Sequence, residues 1–244
     1  MSGDSSWRFT GHLANLEYYY ESVDDPAAWE QCPAEIKGTY LDNFRNIWDL
    51  YITDSAADPT TLSAATGDQS EAEFGEGKAV FYQNGTWEYA ALTADKFNLN
   101  PDEIAMIPIY CGVDGEEKAG LCSGTENCWA VNKNASEEDI KATLDFMNWV
   151  VTSDAGTTML AEQFGPCPFK NAKTPENVFF AQANEYVANG NYTVTWAFNW
   201  TPAVDDWRAA VVDALSKYTT GNGSWGDVKT AFVEGWATQY ANEH

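Results

Sequence analysis

The 244-residue sequence predicts a helix-rich α/β fold with few strands. Three observations lead there. Apolar residues recur at helical spacing in segment after segment, several of them opened by a capping residue or a Pro-containing pair. Only three short stretches read as strands, at residues 79–82, 104–109 and 127–131. No internal repeat and no low-complexity linker interrupts the chain. So few strands among so many helices is unusual for a complete α/β domain.

Residues 10–20 carry Leu13, Leu16 and Tyr20 on one helical face. Asp25 caps a short helix that has Pro26 at its first position and runs to about residue 32. Residues 39–53 form a strong amphipathic helix with Leu41, Phe44, Trp48, Tyr51 and Ile52 on one side. A short helix at 58–66 is followed by an acidic, Gly-containing stretch, 67–77, which leads into the strand at 79–82. The polar turn Gln83, Asn84, Gly85 and Thr86 then delivers Trp87. The strand at 104–109 is continuous and apolar, as a buried strand is. A charged, Gly-rich turn at 112–118 precedes the strand at 127–131. Ser136 caps a helix through residue 151, with Asp139 as its capping-box acid and Ile140, Leu144, Met147 and Val151 as its stripe. The next helix starts at Ser153 or Asp154 and stops at Gly165. Thr174 and Pro175 open another, which ends at Gly190. Thr201 and Pro202 open a helix with Val204, Trp207, Val211 and Leu215 in register, ending at Gly221. Ser224 and Asp227 cap the last, whose stripe is Val228, Phe232, Trp236 and Tyr240.

Composition narrows the function. The net charge of −24 repels nucleic acid and anionic membrane surfaces, and it suits a neutral ligand. The 11 Trp, 12 Tyr and 12 Phe exceed what a core of this size needs. Exposed indole rings suit sugars, whose CH faces stack on them. The five cysteines (Cys32, Cys111, Cys122, Cys128 and Cys167) include no CxxC pair, and there are only two histidines, so neither zinc nor any other cofactor is expected. Cys122 and Cys128 are placed to pair, but small buried hydrophobes are the commoner state of such thiols. No apolar run is long enough to span a membrane. The first residues lack the charged-then-apolar layout of a signal peptide, so either the protein is cytoplasmic or its export segment lies outside this sequence.

Three stretches read GKAVFYQNGTWEYAAL, IAMIPIY and GTENCWAVNKNASEEDIKATLDFMNWVVTSDAGTTMLAEQFGPCPF. Their order is strand, tryptophan-bearing turn, strand, crossing strand and helix pair. In this they resemble the carbohydrate-binding solute-binding proteins of ABC importers and are similar to the maltose-binding type. SSWRFTGHLANL resembles the loop and helix that open part of the C-terminal lobe in that family. The resemblance implies a type II periplasmic-binding-protein-like C-terminal lobe, with most of the N-terminal lobe absent. Residues 1–122 and 166–244 would build that lobe. Residues 123–165 would form the crossing strand and a helical excursion that packs on the missing lobe. Its uncovered face would favour self-association. The implied role is non-enzymatic: capture of a neutral mono- or oligosaccharide outside the cell and delivery to membrane permease subunits. The implied location is extracellular, as a cell-surface lipoprotein whose signal and anchor lie outside this chain.

Candidate ligand-binding residues follow. Trp87 is the first, since its ring can stack on a pyranose and the family's matching tryptophan lies in the ligand cleft. Asn84 offers both a donor and an acceptor, or serves only as a turn former. Trp7 and Arg8 sit where the family's loop approaches sugar, and Arg8 carries a forked donor. Glu126 and Asn127 lie in the turn before the crossing strand, where a carboxylate can accept sugar hydroxyls or backbone amides. Among Trp196, Trp200 and Trp207, one is expected to meet ligand. Trp196, in a loop, is preferred, because Trp207 lies on a helix's apolar stripe. His12 reads as a satisfied polar residue, and Asp205 and Asp206 as partners of a helix dipole. Two alternatives stay open, a glycoside hydrolase and a non-catalytic interaction module. No nucleophile elbow, phosphate loop or HExxH motif supports the first.

Overall fold

The computed structural model describes residues 12–54, 58–124, 128–165 and 167–244. In chain order the helices are α1 (Asn15–Ser22), α2 (Leu41–Trp48), α3 (Gly67–Gly75), α4 (Glu88–Thr93) and α5 (Glu137–Thr152). They continue with α6 (Asp154–Phe164), α7 (Val178–Ala188), α8 (Val204–Thr219) and α9 (Trp225–Glu243). The strands among the described residues are β1 (Ala119–Ser123) and β2 (Tyr192–Thr195). The chain divides into two compact units, one of residues 1–84, 107–124 and 190–244, the other of residues 85–106 and 125–189.

In the first unit α8 packs on α9. Their stripes meet as the spacing predicts: Trp207, Val211 and Leu215 are buried with Val228, Phe232 and Trp236. Ser224 and Asp227 form a reciprocal capping box that starts α9. Onto this pair pack Leu16 and Tyr18 of α1 and Phe44, Ile47 and Trp48 of α2. The helix predicted at 39–53 is α2, continued by one π-helical segment over Asp49–Thr53. The buried indoles are satisfied where they cross the core: Trp48 Nε1 donates to Thr219 Oγ1 at 2.8 Å and Trp236 Nε1 to the Pro33 carbonyl at 2.8 Å. At the entry to α2, Gly38 has φ +70°, and a Cβ there would stand 2.6 Å from Leu41 Cδ1 and 2.8 Å from Val233 Cγ2. Gly38→Ala is therefore expected to destabilise by about 1–3 kcal/mol, through backbone strain and overpacking together. A melting temperature equal to that of the wild type would contradict this.

The strands differ from expectation. β1 and β2 pair in parallel, with Ala119 opposite Tyr192, Cys122 opposite Val194 and Ser123 opposite Thr195. The expected strand at 79–82 is reduced to a single bridge residue, Tyr82, and Val80 is 82% exposed. Residues 104–109 and 128–131 are irregular, with Ile107 and Trp129 exposed, while residue 127 lies outside the described residues. An apolar run becomes a strand only where a partner ladder receives it, and these runs have none among the described residues. Two helices were not expected. α3 occupies the acidic stretch, opened by a capping box between Thr66 and Gln69, and α4 follows Trp87 directly.

In the second unit α5 packs on α6. Ser153 ends the first and caps the second, its Oγ accepting the Gly156 amide at 3.0 Å. A Cβ on Gly156 would meet the Val150 carbonyl oxygen at 2.3 Å, so a glycine is required for this close turn. Asn177 caps α7, which buries Phe179 and Phe180. Gly165, at φ +84°, lies against the Phe180 ring. Leu144, Phe146 and Trp149 of α5 are exposed.

Candidate functional site

In the first unit the carboxyl ends of the two parallel strands lie side by side, the position at which α/β sheets commonly present ligand groups. Gly124 follows β1 and Trp196 follows β2. Asn15, buried at the start of α1, braces the backbone on both sides of Trp196. Its Nδ2 donates to the Thr195 carbonyl at 2.9 Å, and its Oδ1 accepts the Ala197 amide. The indole stacks on His12, with ring centroids 4.8 Å apart, and on Phe198 at 6.0 Å. Gly124 admits the ring, since a Cβ there would stand 3.0 Å from Trp196 Cδ1. On its other side His12 Nδ1 pairs with Gln83 Nε2 at 2.8 Å. In this cluster Trp196 Nε1 and Gln83 Oε1 are buried with no hydrogen-bond partner among the described residues.

The expected site residues distribute as follows. Trp196, expected in an open loop, is only 6% exposed, because Asn15, His12 and Gly124 together draw it into the strand ends. Trp207 is 5% exposed and belongs to the core: its Nε1 donates to the Phe232 carbonyl at 3.0 Å, and its ring meets Phe232 and Trp236 edge-on. Trp207 is thus packed in the core rather than presented in a loop, as its place on the apolar stripe of α8 implies. Trp200 is half-buried against Trp29. Asn84 donates through Nδ2 to the Tyr82 hydroxyl. Trp7, Arg8, Glu126 and Asn127 lie outside the described residues.

In the second unit Trp87 is 54% exposed and occupies the N-cap position of α4. Its six-membered ring lies over Gly85, where an added Cβ would meet Cη2 and Cζ3 at 2.2 Å. The glycine thus sets the tilt of the ring. Trp129 and Phe169 form an exposed stacked pair in the same unit, with centroids 6.1 Å apart.

Two residues of the first unit escaped the sequence reading. Gln83 sits beside Asn84 in the turn that was singled out, so the signal was present in its amide. Glu17 gave none. It is 1% exposed on α1, where its Oε1 accepts the Tyr40 amide at 3.3 Å and its Oε2 lacks a partner among the described residues. Burial, and next the neighbouring Glu21 charge, push its carboxyl from 4.5 up to about 8. Glu17, Asn15, Trp207 and Arg208 border a cavity of about 20 Å³, room for one water and far too small for a sugar.

Among the described residues no group of His, Cys, Asp and Glu is arranged to hold a metal ion, and no helix is long and apolar enough to cross a membrane. A family model described as bacterial extracellular solute-binding protein matches residues 1–188. No curated protein and no solved structure matches the chain. The helix-rich architecture with its short parallel strand pair fits a periplasmic-binding-protein-like lobe. Members of the matched family bind solutes outside the cell for ABC transport rather than transform them. The match covers more than half of the sequence, and the chain belongs to the bacterial extracellular solute-binding protein family.

Proposed function

We propose that this chain is a carbohydrate-binding member of the maltose-binding type, which captures a neutral mono- or oligosaccharide outside the cell and presents it to the permease subunits of an ABC importer, held at the cell surface as a lipoprotein. The observation that carries the reading is the half-exposed indole of Trp87, tilted over Gly85. A pyranose stacked there buries its CH groups against the negative ring face. The net charge of −24 acts in the same sense, by disfavouring anionic solutes. Asn84, Trp7, Arg8, Glu126 and Asn127 are each proposed as ligand-binding residues.

The reading is tested by titrating neutral glycans into the protein and following tryptophan emission. A saturable shift without release of reducing sugar is expected. Trp87→Ala should weaken binding by about fivefold or more, given that aromatic contacts contribute about 1 kcal/mol or more, and should leave the melting temperature nearly unchanged because the ring is exposed. An unaltered affinity in that variant, or no response to any glycan, would refute the assignment.

A further inference from the structure

We propose that Cys128 and Cys167 form a disulfide that closes the neck of the α5/α6 pair once the protein reaches an oxidising compartment. This is a modification site of the second unit, and it is independent of what the protein binds.

Two chain segments meet where this helix pair begins and ends. α5 and α6 are separated by Ser153 alone and pack on each other. The entering segment carries Cys128 and Trp129, and the leaving segment carries Cys167 and Phe169. Trp129 stacks on Phe169, with ring centroids 6.1 Å apart and planes inclined by 23°. The two ends of the pair are therefore held side by side. One cysteine directly precedes the first ring, and the other precedes the second ring across Pro168. Of the five cysteines, these two belong to the second unit, while Cys32, Cys111 and Cys122 belong to the first. Cys128 is exposed and Cys167 half-buried, both as thiols in this structure. In the first unit Cys122 sits on β1 opposite Val194. Cys111 is buried there, and desolvation pushes its thiol up to about 12, which withholds the thiolate that exchange requires.

The compartment supplies the driving force. The chain belongs to a family that works outside the cell, where disulfides form and persist. The exposed Cys128 thiol loses its proton and attacks one sulfur of an external disulfide, which releases one thiol and leaves a mixed disulfide on Cys128. Burial holds the Cys167 thiol above its usual value, so Cys167 acts second. Its sulfur displaces the external group from Cys128, and a second external thiol leaves. Two S–H bonds of the protein are exchanged for one S–S bond, and both protons and both electrons end on the reduced oxidant. The weak bond that Cys167 Sγ donates to the Gly165 carbonyl at 3.5 Å is lost, a small loss beside a covalent link. The closed loop contains both helices, and closing it restricts the unfolded chain. α5 presents Leu144, Phe146 and Trp149 to solvent, so apolar burial on that helix is incomplete and a clamp at the neck has more to contribute.

The test uses the purified 244-residue chain, oxidised with glutathione disulfide, after which remaining thiols are blocked with N-ethylmaleimide in denaturant. Trypsin and a glutamate-specific protease cut at Glu126, Lys133 and Lys170, which places Cys122, Cys128 and Cys167 on separate peptides. Mass spectrometry without reductant is expected to show the Cys128 and Cys167 peptides joined. The melting temperature of the oxidised wild type should fall by about 5 °C or more on reduction, and that of Cys128→Ser and Cys167→Ser should not respond to reductant. Recovery of both peptides as alkylated thiols would overturn the inference, as would Cys128 joined to Cys122, to a second chain or to glutathione alone. A fall on reduction that persists in Cys128→Ser, where the exposed position leaves the fold undisturbed, would assign the effect to another pair. A Cys128–Cys167 link whose reduction leaves the melting temperature unchanged would overturn the clamp.

Discussion

Trp236→Ala is expected to destabilise the protein by about 3–5 kcal/mol, the range for truncating a fully buried indole. Trp236 is 1% exposed on α9. Its ring stacks on Tyr18 at 5.2 Å and meets Trp207 edge-on at 5.9 Å, so it ties α1 to both helices of the α8/α9 pair. Truncation removes the transfer energy of the ring and leaves a void between three elements, which packed aromatic neighbours fill poorly. It also removes the donor that Nε1 gives the Pro33 carbonyl at 2.8 Å, stranding an acceptor at additional cost. Thr238→Ala, two residues on and exposed, is the control and should change stability by less than about 0.5 kcal/mol. Urea titration of both variants checks the pair. Similar midpoints for the two would show that the α1/α9 contact is not a keystone of the first unit. Since whole-protein stabilities are about 5–15 kcal/mol, the alanine variant should already be partly unfolded at modest urea.

The contrast between those two residues was legible in the sequence, and its basis explains what else was. α8 and α9 show a strict apolar stripe, and α9 also has its Ser224/Asp227 capping box in front, whereas α8 starts at Ala203 with no side-chain cap. α5 and α6 were legible as helices, down to the Ser153 that separates them, but the expected stripe of α5 was not its buried face: Leu144 is exposed and Val150 is the residue buried. The strands were not legible. β1 reads AGLCS, too small and mixed to announce itself, and β2 lies in a short TVT run whose β-branched residues favour a strand but which no neighbouring segment marks as paired. Pairing is a property of two distant segments, and no local window contains both. The same limit governs the site. Trp87 was found because a single turn exposes it, whereas the Trp196 environment is assembled from residues 12, 15, 83, 124 and 196, with its meaning in their contacts. Glu17 was hidden for a third reason. A stripe of Leu13, Leu16 and Tyr20 implies a solvated opposite face, but α1 is buried nearly all round, so its polar residues sit inside.

That interior position makes Glu17 the source of an unusual pH dependence. In the unfolded chain its carboxyl ionises near the ordinary 4.5, and in the folded chain near 8. Between those values the folded state holds the extra proton. Stability contributed by this group therefore falls as pH rises through the window and levels off above about 8. The groups that face it fit this direction. Glu21, one turn along α1, keeps its charge occupied with the amides of Lys37 at 2.6 Å and Thr39 at 2.8 Å, and it adds repulsion to any charge on Glu17. From the entry to α2 only the Tyr40 amide favours ionisation, at 3.3 Å. From α8, Arg208 borders the same cavity, with its guanidinium bonded to Asp205 at 3.2 Å. Glu17→Gln keeps the shape and the acceptor for Tyr40, offers Glu21 an N–H, and has no charge to bury. The full displacement from 4.5 to about 8 would set an upper limit of roughly 5 kcal/mol. Relaxation around the ionised group reduces it, so the variant is expected to be more stable than the wild type by about 2–4 kcal/mol at pH 8.5 and nearly equal to it near pH 4.5. Thermal unfolding of both proteins across that range measures the difference directly. A wild-type curve that rises toward alkaline pH, or a variant less stable at every pH, would mean that Glu17 is charged in the fold and held by a cation, and the buried neutral acid would be the wrong description of α1.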